Sequence, residues 1–174
     1  NGCEVDLTAS ASDCGRCRMP CSTNHVAAAC SAGVCAGSCL PGFADCNGDQ
    51  RADGCETNVA ADPGNCGGCG LACSARGLSP TCSFGTCTGA CDFGFADCNG
   101  DRRTDGCEAN TQTDPGNCGG CGKACVLPNA TAACSNGQCA IASCNAGYAN
   151  CDGNVSNGCE VNTTTDVAHC AACG

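Results

Sequence analysis

The chain has 174 residues, 27 of them cysteine, and its 17 acidic against 7 basic side chains leave a formal charge of −10. The acidic balance and the lack of any Trp exclude a basic, aromatic-lined nucleic-acid surface, and so many cysteines exclude a reducing compartment, which would leave them as reactive thiols. A further 27 of the apolar residues are Ala, so 20 large apolar side chains remain, too few for a self-sufficient core; the expectation is a fold held by disulfides.

The elements follow one ruler. Gly-Cys-Glu places a cysteine at Cys3, Cys55, Cys107 and Cys159, 52 residues apart each time. Repeat 1 (1–53) carries Cys3, Cys14, Cys17, Cys21, Cys30, Cys35, Cys39 and Cys46. Repeat 2 (54–105) carries Cys55, Cys66, Cys69, Cys73, Cys82, Cys87, Cys91 and Cys98 at the same offsets, and contains Asp-Pro-Gly-Asn-Cys-Gly-Gly-Cys-Gly from Asp62 to Gly70. Repeat 3 (106–157) copies that stretch from Asp114 to Gly122 and carries Cys107, Cys118, Cys121, Cys125, Cys134 and Cys139 in register, with Cys144 and Cys151 one residue late. The start of a fourth repeat (158–174) adds Cys159, Cys170 and Cys173, so the segment is expected to belong to a longer array. Eight cysteines per period favour four disulfides inside each repeat, although on the order of a hundred pairings are formally open.

Between the cysteines the sequence is punctuation. Asp-Pro-Gly-Asn, Asn-Gly and Gly-Gly favour tight turns through the fixed φ of Pro, the freedom of Gly and Asx hydrogen bonding. No segment keeps a 3.6-residue apolar period, whereas the alternation Ala140-Ile141-Ala142-Ser143 suits a short hairpin strand. The expected fold class is therefore small disulfide-rich repeats, mostly loops and turns with short antiparallel strands and little helix, in an elongated tandem array.

The frame Asp-Pro-Gly-Asn-Cys66-Gly-Gly-Cys69-Gly, Cys73, Cys82, Ser-Phe-Gly-Thr-Cys87 resembles the cysteine-rich repeats of large secreted proteins of myxobacteria, over the whole chain. Its Asn-Cys-Gly-x-Cys-Gly-x-x-Cys pattern is also similar to the plant stigma-specific protein family. The stretch Cys35, Cys39, Leu-Pro-Gly-Phe43, Cys46 resembles the second half of an EGF-like module. These resemblances imply secreted stalks, adhesive or matrix proteins and modules bound by other surface proteins. None implies catalysis.

Four features of the sequence bear on chemistry. The CxxC pairs Cys14/Cys17, Cys66/Cys69, Cys118/Cys121 and Cys170/Cys173 lack the histidine partners or paired pairs of a zinc site, since His25 and His169 fall at unrelated repeat positions. Without a positioned histidine, Ser/His/Asp or Cys/His catalysis has no inventory, and no enzyme activity is expected. Asp45, Asn47, Asp49, Asp53 and Glu56 occupy positions 1, 3, 5, 9 and 12 of a twelve-residue window, repeated by Asp97, Asn99, Asp101, Asp105 and Glu108 and in part by Asn150, Asp152, Asn154, Asn157 and Glu160. That is the spacing of oxygen ligands in an EF-hand loop, so these residues are weak calcium candidates, with Gln50 and Arg102 standing where the loop would need Gly. The plain alternative is a polar, Asx-rich turn, and no other cofactor is expected. Asn129, Asn154 and Asn162 fit the N-glycosylation pattern.

The function expected from these features is structural: a component of an extracellular fibre, stalk or surface appendage, whose partners are neighbouring repeats or further copies of the chain joined head to tail, with glycans possible. The alternative is a secreted adhesin or matrix-binding module that recognises a carbohydrate or a protein. Neither nucleic acid nor membrane insertion is expected. Any export signal is expected upstream of this segment or already removed.

Overall fold

The computed structural model describes residues 4–169 and 172–173. Its elements are fourteen strands of two to seven residues, and the one helical element among the described residues is a single 3-10 turn, Val155–Asn157. The strands are β1 (Val26–Ala27), β2 (Cys30–Ser31), β3 (Val34–Cys35), β4 (Ser38–Cys39), β5 (Phe43–Ala44), β6 (Thr57–Asn58) and β7 (Thr81–Ser83). They continue as β8 (Thr86–Thr88), β9 (Phe95–Ala96), β10 (Ala109–Asn110), β11 (Ala130–Ser135), β12 (Gln138–Cys144), β13 (Tyr148–Ala149) and β14 (Val161–Asn162). All pair antiparallel in two-stranded ribbons, as expected from a sequence with turn signals every few residues.

The chain divides into two compact units. The first comprises 1–74 and 80–89 and holds the ribbons β1–β4, β2–β3, β5–β6 and β7–β8; the second comprises 75–79 and 90–174 and holds β9–β10, β11–β12 and β13–β14. One hairpin is built three times: β2–β3 turns at Ala32-Gly33, β7–β8 at Phe84-Gly85 and β11–β12 at Asn136-Gly137. In each, both turn residues have positive φ (Ala32 50°, Gly33 80°; Phe84 49°, Gly85 76°; Asn136 52°, Gly137 73°), the type I′ geometry that matches strand twist. The alternation at Ala140–Ser143 lies inside β12, the longest strand.

Twelve disulfides are described, six in each unit. Facing cysteines of each hairpin do not bond to each other. Cys30 and Cys35 go to Cys14 and Cys21; Cys82 and Cys87 go to Cys66 and Cys73; Cys134 and Cys139 go to Cys118 and Cys125. The other bonds correct the expectation that every pair closes inside a Gly-Cys-Glu repeat. Cys39–Cys55, Cys46–Cys69, Cys91–Cys107, Cys98–Cys121, Cys144–Cys159 and Cys151–Cys173 all reach into the next repeat.

The physical reason is phase. Gly-Cys-Glu sits at the second strand of a ribbon (β5–β6, β9–β10, β13–β14) whose first strand lies upstream, so a frame started there cuts the ribbon in two. On the shifted frame the count of four per period holds, because residues 39–87 and 91–139 each close four interlocking disulfides. Cys17 is also disulfide-bonded. Cys3 and Cys170 lie outside the described residues.

Among the described residues the buried apolar set is nine cysteines, Cys14, Cys21, Cys55, Cys66, Cys87, Cys107, Cys118, Cys134 and Cys159, with only Val26, Leu78 and Ala109 beside them. The core is sulfur, and cross-links do what apolar area cannot at this composition. So many disulfides form and persist only in an oxidising environment, and no helix among the described residues is long and apolar enough to cross a membrane.

Candidate functional site

The recurring constellation is a junction, built from three parts of the motif Gly-Cys-Glu and a short segment that docks on it. In the first unit the segment is Asn24–Ala27. The Cys55 N–H donates to the Asn24 carbonyl at 2.9 Å and the Leu40 N–H to the His25 carbonyl at 2.8 Å, and β1 pairs with β4 through Val26 opposite Cys39. The second unit repeats it twice. Cys107 N–H donates to Arg76 O (2.8 Å), Asp92 N–H to Gly77 O (2.7 Å), and Leu78 bridges Cys91; Cys159 N–H donates to Pro128 O (2.9 Å), Asn145 N–H to Asn129 O (2.8 Å), and Ala130 faces Cys144. The middle residue of each segment is left-handed: His25 φ 49°, Gly77 64°, Asn129 51°.

Each letter of Gly-Cys-Glu then has a cause. A Cβ on Gly54 would run into the Asn24 carbonyl, and one on Gly158 into the Pro128 carbonyl, so glycine admits the docking strand. The cysteine closes Cys39–Cys55, Cys91–Cys107 or Cys144–Cys159 beneath it. The glutamate accepts the backbone N–H of the next bonded cysteine: Glu56 Oε1 from Cys46 (3.0 Å), Glu108 Oε1 from Cys98 (3.0 Å), Glu160 Oε1 from Cys151 (2.8 Å). Hydrogen bonds from its own backbone N–H and that of Cys46 hold the Glu56 carboxyl below its ordinary range.

The Asp-Pro-Gly-Asn-Cys-Gly-Gly-Cys-Gly turn is an Asx lattice. Asp62 accepts from Asn65 Nδ2 (2.7 Å) and the Gly64 N–H (2.8 Å), the bonds that lower its pKa in that order, and Asn65 Oδ1 accepts the Gly70 N–H (2.8 Å). Asp114, Asn117, Gly116 and Gly122 repeat the set. The turn sends its two cysteines opposite ways, Cys66 forward to Cys82 and Cys69 back to Cys46. Arg51 completes the node in the first unit, donating to the carbonyls of Cys14 (2.7 Å) and Met19 (3.0 Å).

The calcium candidates lie together in the loop joining the ribbon strands, but most of their oxygens serve the loop. Asp45 Oδ1 takes the Gly48 N–H (2.6 Å), Asn47 Oδ1 the Asp49 N–H (2.8 Å), Asp49 Oδ1 the Ala52 N–H (3.1 Å), and Asn47 Nδ2 donates to Asp53 Oδ2 (2.7 Å). Asp97, Asn99, Asp101 and Asp105 repeat this, with Arg102 Nε 3.1 Å from Asp97 Oδ2. Left buried without a hydrogen-bond partner are Gln50 Oε1, Asp53 Oδ1 and Glu56 Oε2, and in the second copy Asp105 Oδ1 and Glu108 Oε2. Among the described residues, the only sets of three Cys, His or acidic groups with ligand atoms within 4.8 Å of one another are disulfide cysteines such as Cys14, Cys21 and Cys35. His25 is an exposed turn residue stacked on Phe43 with ring centroids 3.6 Å apart, and His169 contacts Asp166 at 3.2 Å.

The glycosylation candidates separate. Asn129 is the left-handed docking residue and donates Nδ2 to the Cys159 carbonyl (3.2 Å), Asn162 belongs to β14, and Asn154 is exposed before the 3-10 turn. Sequence reasoning missed the docking segments entirely, because Asn24-His25-Val26, Arg76-Gly77-Leu78 and Pro128-Asn129-Ala130 share no residue at any one position and are seated largely by their backbones. No family model, no curated protein and no solved structure matches the chain.

Proposed function

We propose that the chain is a stretch of an extracellular fibre, stalk or surface appendage assembled from tandem disulfide-locked repeats. The observation that carries this reading is the junction. The docking segments lie between Cys21 and Cys30, Cys73 and Cys82, and Cys125 and Cys134, and each seats on the ribbon that follows it, so on the shifted frame residues 39–87 and 91–139 each carry an acceptor ribbon and, on a different patch, a docking segment. Such a heterologous contact repeats without closing, and an array of such modules gains length by adding copies.

A binding role has one feature in its favour: Phe84 is 96% exposed beside a groove of about 320 Å³ lined by Phe43, Ala60 and Ser83. Phe84 is replaced by Ala32 and Asn136 at the matching hairpin turns, so the patch does not recur along the array and the structural role is preferred.

Electron microscopy of native material tests the choice. Fibres of constant width and unlimited length, with a regular repeat along the axis, are expected. Short monodisperse particles that bind a glycan or protein ligand through Phe84 would replace the structural reading with the adhesive one.

A further inference from the structure

Three Asn-x-Ser/Thr sequences stand at Asn129, Asn154 and Asn162, and the fold treats their amides in three ways. Asn129 is committed to the junction: its backbone is left-handed, its carbonyl accepts the Asn145 N–H, and its amide nitrogen donates to Cys159 O. A glycan on that nitrogen takes one of its two hydrogens and meets the ribbon on which the segment docks. Asn162 is half-buried in β14, and its Oδ1 closes an Asx turn on the N–H of Thr164 (3.0 Å) and also accepts the Thr164 hydroxyl (2.6 Å). The same turn recurs at Asn58 with Ala60 and at Asn110 with Gln112, so the asparagine is there for the turn.

Asn154 shares the Oδ1 pattern of Asn162 and differs from it in exposure, in lying outside any strand, and in recurrence. It is exposed, and its Oδ1 accepts both the backbone N–H of Ser156 (3.1 Å) and the Ser156 hydroxyl (2.7 Å), which sets amide and hydroxyl of the sequence face to face at the surface. No described group accepts from its Nδ2. The matching positions in the other copies are Asp49 and Asp101, followed two residues later by Arg51 and Arg103, so the acceptor pattern arises here alone and is not required by the loop.

We propose that Asn154 carries an N-linked glycan and that Asn129 and Asn162 do not. The donor is a glycan on a polyprenyl diphosphate. The Asn154 amide nitrogen attacks the anomeric carbon, the nitrogen–carbon bond forms as the carbon–oxygen bond to phosphate breaks, one amide proton is lost, and the diphosphate leaves with the electron pair. The sugar displaces no hydrogen bond of the fold and adds a bulky, solvating group to one loop of the repeat.

The test is peptide mapping of the disulfide-intact protein, secreted from cells whose secretory pathway attaches N-glycans. Enzymatic release in heavy-oxygen water leaves a labelled aspartate wherever a glycan stood. Label at position 154 alone is expected. Asn154→Gln and Ser156→Ala should each remove the whole glycan mass, while Ser156→Thr and Asn129→Gln keep it, the conservative threonine variant covering the case in which another substitution fails to fold. An unlabelled position 154, or label at 129 or 162, overturns the assignment.

Discussion

Glu56 is anchored through one carboxylate oxygen and stranded on the other. Oε1 takes the Cys46 N–H, while Oε2 is buried with no donor, and Asp53 Oδ1 shares that condition, as do Glu108 and Asp105 one period later. A buried acceptor left unsatisfied by the protein destabilises the fold unless water or an ion answers it. Calcium takes roughly six to eight oxygens, yet the first oxygens of Asp45, Asn47 and Asp49 are already spent on backbone N–H groups, and no three carboxylates of the loop come within 4.8 Å. Water is the better answer on this count. The expected outcome is therefore a melting temperature that is the same in millimolar calcium as in chelator; a rise of more than about 2 °C on adding calcium, reversed by the chelator, would place a cation at these oxygens.

At the scale of the element, the three hairpins show how one geometry tolerates unequal sequences. Asn136-Gly137 is the dipeptide that a type I′ turn prefers, whereas Phe84 occupies the same left-handed position at φ 49° with its ring 96% exposed. A left-handed non-glycine residue costs roughly 1–2 kcal/mol, and Asn bears it more lightly than Phe. Phe84→Asn is expected to raise stability by about 1 kcal/mol, read as a higher melting temperature by calorimetry; a drop would mean that the ring is held by contacts worth more than the strain. The hairpin at Asn136-Gly137 was legible in the sequence through its turn and the alternation that follows. The matching turns at Ala32-Gly33 and Phe84-Gly85 were not, because their geometry is imposed by the cystines on either side. The docking segments were not legible, since backbone groups make most of the contacts that seat them, and the side chains that add to these, Asn24 Nδ2 on Asp53 O and Asn129 Nδ2 on Cys159 O, stand at different positions of the segment.

For the whole molecule, the 52-residue ruler, the cystine core and the scarcity of helix were all readable from cysteine positions, and the phase of the pairing was not, because spacing does not say which way a cysteine turns. That phase decides how the chain bears load. From Cys39 to Cys91 the shortest covalent route follows the backbone to Cys46, crosses to Cys69, follows it to Cys73, crosses to Cys87 and runs on to Cys91. At ~3.5 Å per extended residue, this route is about 65 Å per period, against about 180 Å for the uncross-linked chain. Single-molecule stretching in oxidising buffer is expected to stop near one third of the contour length reached after reduction. Extension to the full length without reductant would refute the pairing.

The same bonds are short along the chain as well as closed. No described disulfide joins cysteines more than 23 residues apart, and the closest are 14 apart. As the polypeptide grows, each cysteine of the described bonds therefore meets its partner after about two dozen residues at most, and none of these thiols waits for a distant part of the chain. Oxidation can keep pace with the growing chain over the described periods, so adding periods lengthens synthesis and leaves the difficulty of folding any one of them unchanged.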